Sequence, residues 1–78
     1  MISYAPLWET MKKKNITTYD LRERLKIGGG TFGRLKNNLS ISTHTVDVLC
    51  FYLDCEVQDV ICHVKTGGEI YPTNPKLR

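Results

Sequence analysis

The chain has 78 residues, a net charge of +3, a pI near 8.9, 41% hydrophobic and 24% charged side chains. That length allows one small domain and excludes a dinucleotide-binding or barrel enzyme, while the apolar content is enough to fold. No apolar run is long enough to span a membrane. The opening MISYAPLWETMKKK lacks the pattern of an export signal. The three cysteines, odd in number, are therefore expected as reduced thiols in a cytoplasmic protein.

Taken in chain order, the sequence divides into short helices. Tyr4, Leu7, Trp8 and Met11 fall at i, i+3, i+4 and i+7, the stripe of an amphipathic helix. Pro6 suits its first turn, Lys12, Lys13 and Lys14 suit its negative end, and Asn15 suits a left-handed stop. Thr17 or Thr18 can cap a second helix, with Asp20 in its first turn and Leu21 and Leu25 on its buried face. Gly28, Gly29 and Gly30 precede a helical stretch, Thr31 to Lys36, which Asn37 and Asn38 break. Ser42 can cap a fourth helix carrying Val46, Leu49, Cys50 and Leu53. Val57, Val60, Ile61 and potentially Val64 mark a short fifth. The rest, with two Gly and two Pro, reads as irregular or as a short extended arm. The expectation is an all-α domain of five short helices over residues 1–64, followed by a tail over 65–78.

Charge is segregated along this path. Residues 12–38 carry eight basic side chains against Asp20 and Glu23, giving +6. Residues 39–64 carry Asp47, Asp54, Glu56 and Asp59 with no Lys or Arg, giving −4. A protein that meets a polyanion gathers positive charge on one face, although a solvated surface can segregate charge without any ligand.

Residues 17–38 have the order of a helix-turn-helix: a short helix, a tight turn and a second short helix that can enter a major groove. Leu21, Leu25, Ile27, Phe32 and Leu35 supply the apolar positions that hold such a pair at a steep angle. Other chemistries are weaker. Gly28 to Arg34 imitates the spacing of a phosphate loop but has Arg for Lys and no preceding strand. Cys50, Cys55, Cys62 and His63 lack a C-x-x-C pair, so no metal is expected. His44 and His63 have no nucleophile arranged beside them, so no enzyme and no cofactor is expected.

At TTYDLRERLKIGGGTFGRLKNN and VDVLCFYLDCEVQDVI the chain resembles the Cro/CI (XRE-like) helix-turn-helix regulators, and the opening MISYAPLW resembles a branch of very small stand-alone members. The resemblance covers about residues 1–64. It implies a lambda-repressor-like fold and a regulator that binds double-stranded DNA, usually as a homodimer on a (pseudo)palindromic operator. Such proteins are common on phages, plasmids and transposons, including some antibiotic-resistance gene clusters.

Carried over residue by residue, the resemblance places Thr31, Arg34, Gly29 and Gly30 at bases. It places Thr17, Thr18, Arg22, Lys26, Lys36, Asn37 and Asn38 at phosphates, with Arg24 as a further phosphate contact or a plain surface charge. Arg34 can grip guanine O6 and N7 together, while Thr31 can meet a thymine methyl or a phosphate. Gly29 and Gly30 stand where relatives often carry Gln, Ser, Lys or Arg, and Gly33 adds another gap. Either the backbone approaches DNA closely, or DNA shape is read instead of base edges. Lys26 replaces a common turn glycine, so a left-handed conformation there would be strained. A dimer surface is expected from Phe51, Tyr52, Ile70 and Tyr71. The alternative reading keeps the fold but makes it a protein-interaction module, antitoxin-like or antirepressor-like, working through its acidic half. No small-molecule ligand is evident in either case.

Overall fold

The computed structural model describes residues 1–65, 71, 72 and 74–77. A short strand β1, Ile2–Ser3, leads into helix α1, Ala5–Lys13. Pro6 sits in its first turn, where the missing N–H has no intrahelical partner to lose. Asn15 adopts φ 57°, and the Ile16 amide returns to the Met11 carbonyl at 2.8 Å, closing the helix.

The second helix, α2, is wound widely over Asp20–Arg24, where the Leu25 amide reaches the Asp20 carbonyl five residues back at 3.2 Å. Its approach is capped by Thr17. The Thr17 amide donates to the Asp20 carboxylate at 2.9 Å, and the Asp20 amide donates to the Thr17 hydroxyl at 3.4 Å. This is the reciprocal pattern of a capping box, satisfying backbone donors that the helix itself leaves unpaired.

Helix α3, Gly29–Lys36, starts two residues earlier than its side chains suggest. Gly28 stays extended while its carbonyl accepts the Phe32 amide at 2.9 Å, so Gly29 and Gly30 belong to the first helical turn. Helix α4, Thr43–Leu53, begins at Ser42, whose hydroxyl accepts the Thr45 amide at 3.2 Å.

The expectation of five helices and a purely helical fold is corrected here. Among the described residues there are four helices, and Val57–Asp59 form only a single 3₁₀ turn. The chain then straightens into strand β2, Cys62–His63, antiparallel to β1 with Ile2 opposite His63 and Ser3 opposite Cys62. Val57, Val60, Ile61 and Val64 are β-branched, which disfavours a helix and favours extended pairing. Val64 therefore closes the sheet, its amide bonded to the Met1 carbonyl at 2.7 Å.

Tyr4, Leu7, Met11, Leu21, Leu35, Leu49, Leu53 and Val60 are buried and form one core. Every helix and the 3₁₀ region contributes to it. Trp8, Ile16, Leu25, Ile27 and Phe32 pack against its edge. The five apolar helix-turn-helix positions thus all serve the packing expected of them. Thr10 on α1 ties its hydroxyl to the Asp59 carbonyl at 2.7 Å, joining the first helix to the end of the domain. A second 3₁₀ turn, Pro75–Leu77, lies in the tail.

Candidate nucleic-acid interface

Helices α2 and α3 are joined by a tight turn whose conformation Lys26 sets at φ 58°. The Ile27 amide returns to the Leu21 carbonyl at 3.1 Å, so the chain reverses sharply and drives Leu25 and Ile27 inward. Leu21 and Leu35, both fully buried, pin α2 and α3 to the core. The faces turned away from that core carry the candidate contacts.

The N-terminus of α3 is open. No side chain caps it, and a Cβ added to Gly28, Gly29 or Gly30 would meet nothing within 4 Å. None of these glycines has a positive φ. Neither packing nor backbone geometry therefore demands glycine, and the amides of the first turn lie under a bare surface. Unpaired amides at a helix start attract anions, phosphate included. Thr18 is exposed at the start of the preceding helical turn, and Thr31 is half-buried.

Phe32 organises the basic side chains. Its ring meets Trp8 edge-on, with centroids 6.4 Å apart, and so packs α3 against α1. Arg22 from α2 and Lys36 from α3 both approach that ring, at 6.0 and 5.6 Å from its centre. An aromatic face attracts cations, so Phe32 gathers two charges from two helices. Helical spacing placed Phe32 in the core but gave no sign of this second role. Arg24 is paired with Asp20 at 3.0 Å one turn back along α2.

Three other candidates are engaged within the protein. Arg34 is exposed, but its guanidinium donates to the Ser40 carbonyl and, at 3.0 Å, to the Ser40 hydroxyl. Asn38, at φ 57°, accepts the Tyr4 amide on its side-chain oxygen at 3.0 Å. The Asn37 side-chain amide returns to the Gly33 carbonyl at 2.8 Å, and so finishes α3. The Tyr4 hydroxyl donates to the Leu39 carbonyl at 2.6 Å. Burial pushes the Tyr4 phenol above its usual pKa, against the nearby Arg34 charge and the Ile41 backbone, which pull it down. Tyr4, Arg34 and Asn38 together stitch the α3–α4 connection, a function that none of their spacings signalled.

On the other side, Phe51 is 89% exposed on α4, while Tyr52 is half-buried against the core. Tyr71 is 71% exposed, and Ile70 lies outside the described residues. Among the described residues, no three His, Cys, Asp or Glu side chains converge as metal ligands. Nor is any helix among them long and apolar enough to cross a membrane.

A helix pair pinned to the core by Leu21 and Leu35, with a sharp turn between them and an outward face on the second helix, defines a helix-turn-helix domain. Residues 6–66 match the Cro/C1-type HTH DNA-binding domain family, and the chain belongs to that family. The fold is also similar to the crystal structure (Form II) of the transcriptional regulator VanUg, with a TM-score of 0.73 and 30% identity. That similarity covers 77% of this chain and 80% of the other. Among curated proteins no sequence matches this chain.

Proposed function

We propose that the protein is a sequence-specific DNA-binding transcriptional regulator that inserts α3 into the major groove and acts as a homodimer on a (pseudo)palindromic operator. The observation that carries this reading is the uncapped, side-chain-free start of α3, exposed within the segment that holds a charge of +6. Phosphates fit that combination twice over, through oriented backbone amides and through released counterions. Arg22 and Lys36 beside Phe32 supply charges for the DNA backbone, and Thr18 a hydroxyl. Thr31 and Arg34 supply base contacts, with Arg34 first leaving Ser40. Exposed Phe51 supports pairing through α4, which keeps the acidic half away from DNA.

Selection of bound duplexes from a randomised pool tests this reading. The expected product is one enriched motif with two inverted half-sites, their centres about 10 base pairs or a multiple apart, as two recognition helices on one duplex face require. Absence of any enriched motif would favour the protein-interaction module instead.

A further inference from the structure

We propose that Cys50 and Cys55 form a reversible intramolecular disulfide that locks the C-terminal end of α4. The helix stops with Asp54 in the left-handed region, at φ 50° and ψ 58°. The Cys55 amide returns to the Cys50 carbonyl at 3.1 Å, and the Asp54 amide to the Phe51 carbonyl at 3.3 Å. This pair of bonds defines a Schellman stop, in which the residues at the two ends of the longer bond share a face and usually make an apolar contact. Here both are cysteines, half-buried and free.

A disulfide needs Cα atoms roughly 4.4–6.8 Å apart. With standard bond lengths, an N–H···O=C bond between the same two residues holds their Cα atoms in that range. The backbone bond from Cys55 to Cys50 therefore meets the Cα requirement for a disulfide. Cys62 is set apart in β2, opposite Ser3, and serves as an internal reference.

The surroundings favour protonated thiols, which slows their reaction. Burial pushes both thiols above their usual pKa; at Cys50 the Cys55 thiol opposes the rise while Asp47, Glu56 and Asp59 add to it, and at Cys55 the Cys50 thiol and Asp59 add to it. Lys14 opposes the rise at Cys55, and its ammonium donates to the Asp54 carbonyl at 3.3 Å. With a peroxide as oxidant, one thiolate of the pair attacks a peroxide oxygen and gives a sulfenic acid and hydroxide, which takes up the proton that thiol lost and leaves as water. The other thiol of the pair then attacks that sulfur and expels a second water. Two thiols and one peroxide yield one disulfide and two waters, and a thiol reductant reverses the link by exchange.

The test treats the full chain with hydrogen peroxide, caps remaining thiols with iodoacetamide and maps the unreduced peptides. Two of the three thiols should become resistant to capping, in a peptide joining Cys50 to Cys55, and dithiothreitol should restore both. Cys62→Ser should behave identically. Exchange of the Cys55 amide should slow by about tenfold or more once the link forms, because opening of the helix end is then restrained. A cross-link through Cys62, links only between chains, or three thiols still capped under peroxide that oxidises free dithiothreitol would each overturn the proposal.

Discussion

The Arg34 guanidinium is closed onto Ser40, holding both its carbonyl and, at 3.0 Å, its hydroxyl. The side chain proposed to read guanine thus fastens the connection between α3 and α4. The two uses compete for the same N–H donors. Arg34→Ala should weaken the specific site by about 1–3 kcal/mol and leave binding to unrelated duplex nearly unchanged. Ser40→Ala, which removes one of the competing acceptors, should leave specific binding equal or tighter. Anisotropy titrations of both variants check this. Equal losses on both DNAs would reduce Arg34 to a phosphate contact, and lost stability with unchanged binding would reduce it to a latch.

Gly29 and Gly30 separate fold from function by opposite signs. A methyl group at either position meets open space, and neither φ is positive. Alanine should therefore raise stability, by up to about 1 kcal/mol, through a better helix propensity. If the backbone there lies against DNA, the same methyl group should lower specific affinity by about tenfold, equivalent to roughly 1.4 kcal/mol. Urea denaturation and DNA titration of each variant read the two effects separately. Affinity that stays constant would remove these glycines from the contact surface.

Lys26 carries strain in the turn. At φ 58° its Cβ crowds the backbone, an arrangement that glycine escapes. Lys26→Gly should stabilise the fold by about 1 kcal/mol, less the extra freedom that glycine gives the unfolded chain. The urea midpoint should rise with an unchanged slope. The same variant deletes a positive charge, so its DNA binding should weaken more at low salt than at high salt.

The Thr17–Asp20 cap gives the fold an acid-sensitive element. The Thr17 backbone N–H holds the Asp20 carboxyl below its usual pKa against the opposing effect of burial, helped by the Thr17 hydroxyl and the Arg24 guanidinium. A group depressed in the folded state stabilises above its unfolded pKa and loses that contribution as pH falls through the folded value. Stability should thus decline on the acid side, below about pH 4. Asp20→Asn should flatten that decline, and Thr17→Ala should cost about 1 kcal/mol near neutral pH. Urea midpoints measured from pH 3 to 7 decide it, and an Asp20→Asn profile parallel to the parent's would contradict the assignment.

Much of this architecture was legible in the residues. The apolar spacing of Leu21, Leu25, Ile27, Phe32 and Leu35, the Ser42 cap and the left-handed stop at Asn15 are local signals, and each acts where its chemistry places it. The misreadings lie where distant partners decide. Val60, Ile61 and Val64 repeat at helical spacing, yet residues 62–64 pair with the first residues of the chain, and no local pattern shows that. The helix start at Gly29 escaped notice because glycine carries no periodic signal. The contacts of Arg34 with Ser40 and of Asn38 with Tyr4 depend on how α3 and α4 meet, so a surface charge and a helix breaker concealed structural functions.

The central claim is that the α2–α3 surface binds DNA electrostatically and selects sequence on top of that. The most direct measurement titrates the protein with its selected duplex and with a scrambled duplex at two or more salt concentrations. The logarithm of affinity should fall linearly with the logarithm of salt on both, with a slope of about −0.9 per phosphate neutralised. The selected duplex should stay tighter throughout, by about a thousandfold or more at physiological salt. Binding that ignores salt, or no binding to either duplex at micromolar protein, would contradict the account.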